Sequence, residues 1–233
     1  MRMRRPNYRR LHVNKAQDTI VKAELNLDPL LLFMCLPILQ RNRNSLGRRI
    51  GAAIVYVVQS MVVTFRLAEA FPLKKIMESR ALGSGIETAG RPWLGLRVGP
   101  QNRYVAVYPN GQILVAGCRT VEEASGVSKE VTRMLASHTK ARQSAPEPVV
   151  QNIVATSDLG RKLNLALAAK VLVGGDVEHE QELFPGLVLR LKNTRVVVLF
   201  FGSGKFVVTG TKSLGEVSEA VNTAIELMES AGL

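Results

Sequence analysis

The chain has 233 residues, 46 % of them hydrophobic, with 31 Lys and Arg against 19 Asp and Glu. That length suits one large domain or two small ones. Two cysteines, Cys35 and Cys118, exclude a disulfide framework and make a reducing compartment the default. No Cys/His spacing resembles a zinc site, and His12, His138 and His179 are scattered, with no nucleophile–base constellation visible.

The positive charge is uneven along the chain. Residues 1–57 carry 11 basic and 3 acidic side chains, residues 58–148 carry 12 and 7, and residues 149–233 carry 8 and 9. A basic first half favours a polyanion, either nucleic acid or an anionic membrane surface. Residues 1–14 open MRMRRPNYRR and read as a disordered basic arm. Residues 29–39, PLLLFMCLPIL, are apolar but too few to span a bilayer, which takes about 20 residues. The run also starts late for a signal peptide and lacks a clean cleavage site. Residues 1–57 are therefore expected to be an extension: a loose arm, a membrane-touching arm, or translated sequence upstream of the true start.

From Val58 the chain resembles itself. VQSMVVT at 58–64 matches VQNIVAT at 150–156, a step of 92 positions, and RPWLGLRV at 91–98 matches FPGLVLRL at 184–191, a step of 93. YPNG at 108–111 then matches FGSG at 201–204, and VAG at 115–117 matches VTG at 208–210. A capping box follows each meander, Thr120 with Glu123 and Ser213 with Glu216. After the second, Val217, Ala220, Val221, Ala224, Ile225 and Met228 recur at helical spacing. Shorter helices fit 73–77 and 163–172. Each repeat thus reads strand–helix–meander–helix, over 58–142 and 149–233, with a Pro-rich linker at 143–148. Such a duplicated α+β unit can join its two sheets edge to edge and cover exposed strands.

The meander of the second repeat is expected as strands over Leu187–Leu191, 195–201 and 205–210, separated by Gly/Asn/Ser turns. In its middle strand Val196, Val198 and Phe200 alternate with Val197, Leu199 and Phe201, so both faces are apolar. A sheet with helices on one side should be polar on the other. Two readings stand: a sheet sandwiched between two layers, or a surface kept for a partner and rimmed by Lys and Arg. Gly202-Ser203-Gly204-Lys205 is not a phosphate loop, because the spacing fails, Phe206 stands where Ser/Thr should be, and a strand follows.

The motifs QNIVAT, FPGL, LFFGSGK and TGTKS, in this order and spacing, resemble the second repeat of the TATA-box-binding protein family in its archaeal style. The likeness is strong over 149–233 and rests on the internal repeat over 58–140. It implies a saddle: a curved, ten-stranded antiparallel sheet, four helices on the convex back, and a concave apolar face on the minor groove of DNA. It implies Phe184 and Phe201 as wedges between base steps, the mechanism known for that family. It implies Asn152 as the donor to minor-groove acceptors, and Val154, Leu199, Val207 and Thr209 as the groove floor. It implies Arg190, Ser203, Lys205 and Lys212 at phosphate and sugar. The physics agrees, since A·T pairs show only acceptors in the minor groove and the guanine amino group would clash. Glu180, Glu182 and Leu183 match the loop by which the family holds transcription factor B; taken alone they read as a solvated loop. Phe184 and Phe201 taken alone are open to a core reading, and Trp93 is open to a core reading or a stacking one.

The first repeat departs from the pattern. Arg91 and Tyr108 occupy the wedge positions, Ser60 stands for the central Asn, and Gln112 for the Lys of the second turn. Val62 and Arg97 are kept, and Arg119 stands where Lys212 does. One sharp kink is therefore expected, under the second repeat, with most of the bend lost on removing Phe184 or Phe201. The expected function is a general transcription initiation factor that bends TATA-like promoter DNA and recruits transcription factor B and, through it, RNA polymerase. No cofactor, metal, small-molecule substrate or catalysis is expected. Its place would be the cytoplasm or nucleoid of an archaeal cell, or a eukaryotic nucleus. The alternative is a divergent paralogue without autonomous DNA binding, acting as a protein-interaction or regulatory module.

Because residues 1–57 match neither repeat, a chain beginning at Gly51 should melt within a few degrees of the full chain. A larger loss in calorimetry would make the extension part of the fold.

Overall fold

The structure, a computed structural model, describes residues 55–78, 92–136, 146–172 and 175–233. The basic arm, the apolar run at 29–39, Cys35, His12, His138 and Arg91 lie outside the described residues, as does the first half of the linker at 143–148.

The first repeat contains β1 (Val57–Arg66), α1 (Leu73–Glu78), β2 (Leu94–Val98), β3 (Arg103–Val107), β4 (Gln112–Cys118) and α2 (Val121–Leu135). The second contains β5 (Val149–Asp158), α3 (Leu165–Val171), β6 (Gly175–Glu178), β7 (Leu187–Leu191), β8 (Val197–Phe200), β9 (Lys205–Thr211) and α4 (Leu214–Ser230). Among the described residues the strands form one sheet of nine, in the order β2-β3-β4-β1-β5-β9-β8-β7-β6. Every pairing is antiparallel. The first-repeat counterpart of β6 would fall within 79–91, outside the described residues.

The repeats meet at β1 and β5. Ser60 pairs with Val154 and Val62 with Asn152. Since 60 and 152 are equivalent positions, as are 62 and 154, this register is that of a two-fold axis between the strands. Side chains repeat the symmetry: Gln59 Nε2 donates to Thr156 Oγ1 at 2.8 Å, and Gln151 Nε2 donates to Thr64 Oγ1 at 2.8 Å.

One face of the sheet carries two cores, one per repeat. In the first, Val63, Phe65, Leu94, Leu96, Val105 and Val115 pack with Ile76 of α1 and with Ala124, Val127 and Val131 of α2. In the second, Ile153, Leu187, Leu189, Val198, Phe200, Phe206 and Val208 pack with α3 and with the predicted stripe of α4, Val217 to Met228. Burial of each large side chain contributes about 1.5–3 kcal/mol. All four described helices contribute to this face.

Both long helices start at their predicted caps. Thr120 Oγ1 accepts from Glu123 N and Ser213 Oγ from Glu216 N, each at 3.1 Å. The return bond reaches one residue further back than the usual capping box. Glu123 Oε2 accepts from Arg119 N at 2.8 Å, and Glu216 Oε2 from Lys212 N at 2.9 Å. The Lys212 N–H, aided by Arg195, holds the Glu216 carboxyl below the usual carboxylate range. Arg103 pairs with Glu123 as Arg195 pairs with Glu216, so each helix start is tied to its meander.

The meander differs from expectation in detail. β8 starts at Val197, not at 195, because Arg195 is drawn aside to donate through Nε to Gly210 O at 2.7 Å. β9 runs one residue further, to Thr211. The strand β6 was not foreseen: GDVE is short and polar, and only Val177 packs on the core. Those are the traits of a protected sheet edge.

Two equivalent glycines close the turns before β4 and β9. Gly111 and Gly204 have φ of +83° and +88°, and a Cβ on either would lie 1.7 Å from Ala68 O or 1.8 Å from Arg161 O. Leu67 N and Leu159 N bond to the carbonyls of these glycines. Gly204→Ala must therefore both strain the left-handed backbone and push two chain segments apart, and should cost more than about 2 kcal/mol in urea unfolding. An unchanged midpoint would contradict this turn geometry.

Candidate nucleic-acid interface

Strand alternation puts the residues between the core positions on the face away from the helices. Val62 on β1, Val154 on β5, Leu199 on β8, and Val207 and Thr209 on β9 share that face. Neither core includes them, yet they are only 0 to 8 % exposed. The face is apolar and well shielded in the free chain.

Asn152 sits at its centre with a fixed orientation. Its Oδ1 accepts from Gly210 N at 2.9 Å, and its Nδ2 donates to Thr209 Oγ1 at 3.2 Å. The Gly210 N–H settles which end of the amide is which, and the second N–H of Nδ2 is left to donate elsewhere. The equivalent Ser60 is buried, and its hydroxyl has no partner among the described residues. It is a shorter polar group in the matching place.

Phe184 and Phe201 meet beyond the ends of β7 and β8, with ring centroids 5.9 Å apart and planes at 66°. Neither is part of the two core clusters, although Phe184 is only 6 % exposed and Phe201 half-buried. Phe184 folds back over Gly186, where a Cβ would lie 2.6 Å from the Phe184 ring and 2.8 Å from Phe200 O. Glycine is required there for the pair to form.

The polar residues fall into two groups. Ser203, Lys212, Arg97 and Arg119 are exposed, and Lys205 is half-buried. Arg190 is held by Glu178, with Nε 3.5 Å from Oε1, so a phosphate would have to share it with a carboxylate. The Glu180–Leu183 turn stands beside the Phe pair, because Phe184 N and Leu183 N both bond to Glu180 O. Glu180 and Glu182 are exposed, Leu183 is half-buried, and with Ala166, His179 and Gln181 they line an open hollow of about 580 Å³.

The first repeat also brings aromatic rings together. Trp93 precedes β2 and Tyr108 follows β3, and their centroids are 5.6 Å apart. Trp93 Nε1 donates to Tyr104 Oη at 3.0 Å, and the Arg97 guanidinium lies 5.2 Å from the Tyr104 ring centre. Burial, and after it the nearby Tyr104, pushes the Tyr108 phenol above its ordinary value. Trp93 is half-buried and in neither core, so the core reading of this residue is corrected. Sequence reasoning did not include Trp93 and Tyr104 in the site. The available signal was the register: Leu94 pairs with Val107, which makes Trp93 and Tyr108 the next cross-strand pair.

Cys118 is buried, and that burial pushes its thiol up to about 11, which makes it a poor nucleophile. Among the described residues no cluster of three His, Cys, Asp or Glu side chains could hold a metal ion, and no helix is long and apolar enough to cross a membrane.

Comparison with known proteins agrees with this architecture. The family model described as transcription factor TFIID, or TATA-binding protein, matches twice, over residues 55–138 and 147–231. The chain is 39 % identical over 177 residues to the TATA-box-binding protein of Archaeoglobus fulgidus, covering 76 % of this chain and 96 % of that protein. Identity to the TATA-box-binding protein of Methanothrix thermoacetophila is 38 % over 177 residues, with the same coverage, 76 % and 96 %. The solved structure of the Methanococcus jannaschii protein superposes with a TM-score of 0.67 at 30 % identity, covering 75 % of this chain and 98 % of that one. The chain belongs to the TATA-box-binding protein family, and its sheet is the saddle of two repeats. That family is one of transcription factors, not enzymes.

Proposed function

We propose that the chain is a general transcription initiation factor that seats TATA-like promoter DNA, minor groove inward, on the face away from the helices. The observation that carries this is Asn152. Its amide is locked by Gly210 N–H with a donor left over, at the middle of an apolar strip that runs across both repeats. One fixed donor among apolar neighbours reads A·T pairs, whose minor-groove atoms only accept, and disfavours G·C pairs, which add an amino group. Phe184 and Phe201, whose rings pair beyond the strand ends, would unstack a base step and bend the duplex. Val62, Val154, Leu199, Val207 and Thr209 form the floor. Ser203, Lys205, Lys212, Arg97 and Arg119 serve phosphate and sugar, and Arg190 joins them by exchanging Glu178 for a phosphate. Transcription factor B would dock on Glu180, Glu182 and Leu183, and RNA polymerase would follow through it. Within this reading 58–142 and 149–233 act as the two halves of one saddle, with residues 1–57 as an extension.

A second reading has one observation in its favour. The floor is only 0 to 8 % exposed in the free chain, and the described helices, all on the other face, do not supply that shielding. A paralogue that does not bind DNA by itself and works through the Glu180–Leu183 turn would suit such a face. A gel shift with a TATA duplex, with and without transcription factor B, separates the two. Binding by the chain alone supports the first reading, and a duplex left unshifted in both lanes removes it.

Reversing Glu180 and Glu182 to Lys should weaken recruitment of transcription factor B, while binary DNA binding stays equal or becomes slightly stronger through added positive charge. Equal recruitment by the variant and the wild type would remove the turn from the partner site.

A further inference from the structure

In the second repeat the wedge consists of Phe184 and Phe201. In the first, matching by sequence puts Arg91 and Tyr108 in those positions, which would leave the first repeat without an aromatic pair. The register keeps that matching but shows which side chain stands across from Tyr108. Leu187 pairs with Phe200, so the next cross-strand position joins Gly186 to Phe201. Leu94 pairs with Val107 in the same way, so the next position joins Trp93 to Tyr108. Trp93 is therefore the equivalent of Gly186, not of Phe184.

The two repeats fill the same space from different backbone positions. Above Gly186 the room is taken by the Phe184 ring, reaching back two residues; a Cβ there would lie 2.6 Å from that ring. In the first repeat residue 91 is arginine, no ring reaches back, and position 93 carries its own indole. The outcome is nearly the same separation, with centroids 5.6 Å apart and planes at 42° for Trp93 and Tyr108 against 5.9 Å and 66° for Phe184 and Phe201. The pairs lie at β2/β3 and β7/β8, toward opposite ends of the sheet. Both are on the face away from the helices, because Trp93 shares its alternation with Arg97 and Tyr108 with Tyr104, between the core residues Leu94, Leu96, Val105 and Val107.

From this we infer that Trp93, backed by Tyr108, is the stacking wedge of the first repeat, a DNA-binding residue in the place where the family pattern has glycine. The inference rests on the minor-groove reading above. An indole suits the role: it has a large apolar face, and its one polar group is already satisfied, since Nε1–H donates to Tyr104 Oη at 3.0 Å. Tyr104 is in turn held under the Arg97 guanidinium. Trp93 can thus stack on an exposed base without desolvating an unpaired N–H. The expectation of one kink under the second repeat is replaced by two kinks, one at each end of the saddle.

Trp93 is the only tryptophan among the 233 residues, so it reports on itself. The full chain is titrated with a TATA duplex while anisotropy of a dye on the DNA follows binding and tryptophan emission follows stacking. Emission should be quenched in step with the anisotropy rise. Trp93→Ala should weaken binding about five- to a hundredfold and remove about half of the bend seen by end-to-end energy transfer. Trp93→Phe should restore most of both, which a merely structural role in the loop would not require. Full binding with unquenched emission, or a Trp93→Ala bend equal to that of the wild type, would overturn the inference while leaving the DNA-binding reading intact. No anisotropy change, with or without transcription factor B, would remove that reading and the inference with it.

Discussion

The pairing of β1 with β5 is the constraint on which everything else depends. Each repeat alone would end in a long unpaired strand, a liability in water. Joining the two buries both edges and places residues 60 and 62 against residues 154 and 152. The same contact makes the apolar strip continuous from one repeat to the other, and it sets the two aromatic pairs toward opposite ends of one sheet. The Gln59–Thr156 and Gln151–Thr64 bonds pin that register from both sides. A slip of one residue would turn every side chain of a strand to the other face, exchanging core for floor.

A symmetric frame does not require identical parts. The second repeat has an amide at its centre and a Phe pair at its end; the first has a hydroxyl, Ser60, and a Trp–Tyr pair. Each half therefore holds a polar side chain at its centre and an aromatic pair at its end, of different kinds.

Much of this could be read from the residues. The repeat, both capping boxes and the core stripe of α4 follow from spacing alone, since each is a local pattern with one physical solution. The apolar second face of β8 was visible as an anomaly, and family likeness gave it a role. Two things were hidden. The strand β6 has almost no apolar signal, because a short charged strand at a sheet edge needs none. Trp93 was hidden because matching by sequence position asks which residue replaces Phe184, whereas the fold asks which side chain fills the space over position 186. A ring that arrives from two residues away leaves no trace in an ungapped comparison.

The central claim is that the face reads the minor groove. Replacing the A·T pairs of a TATA duplex with inosine·cytosine pairs tests it most directly. Such pairs show the major groove of G·C but keep the minor groove free of the guanine amino group. The account predicts that the full chain binds the inosine duplex about as well as the TATA duplex and the corresponding G·C duplex far more weakly. Binding that treats the inosine duplex like the G·C one would mean that the bases are read from the major groove, and would contradict the account.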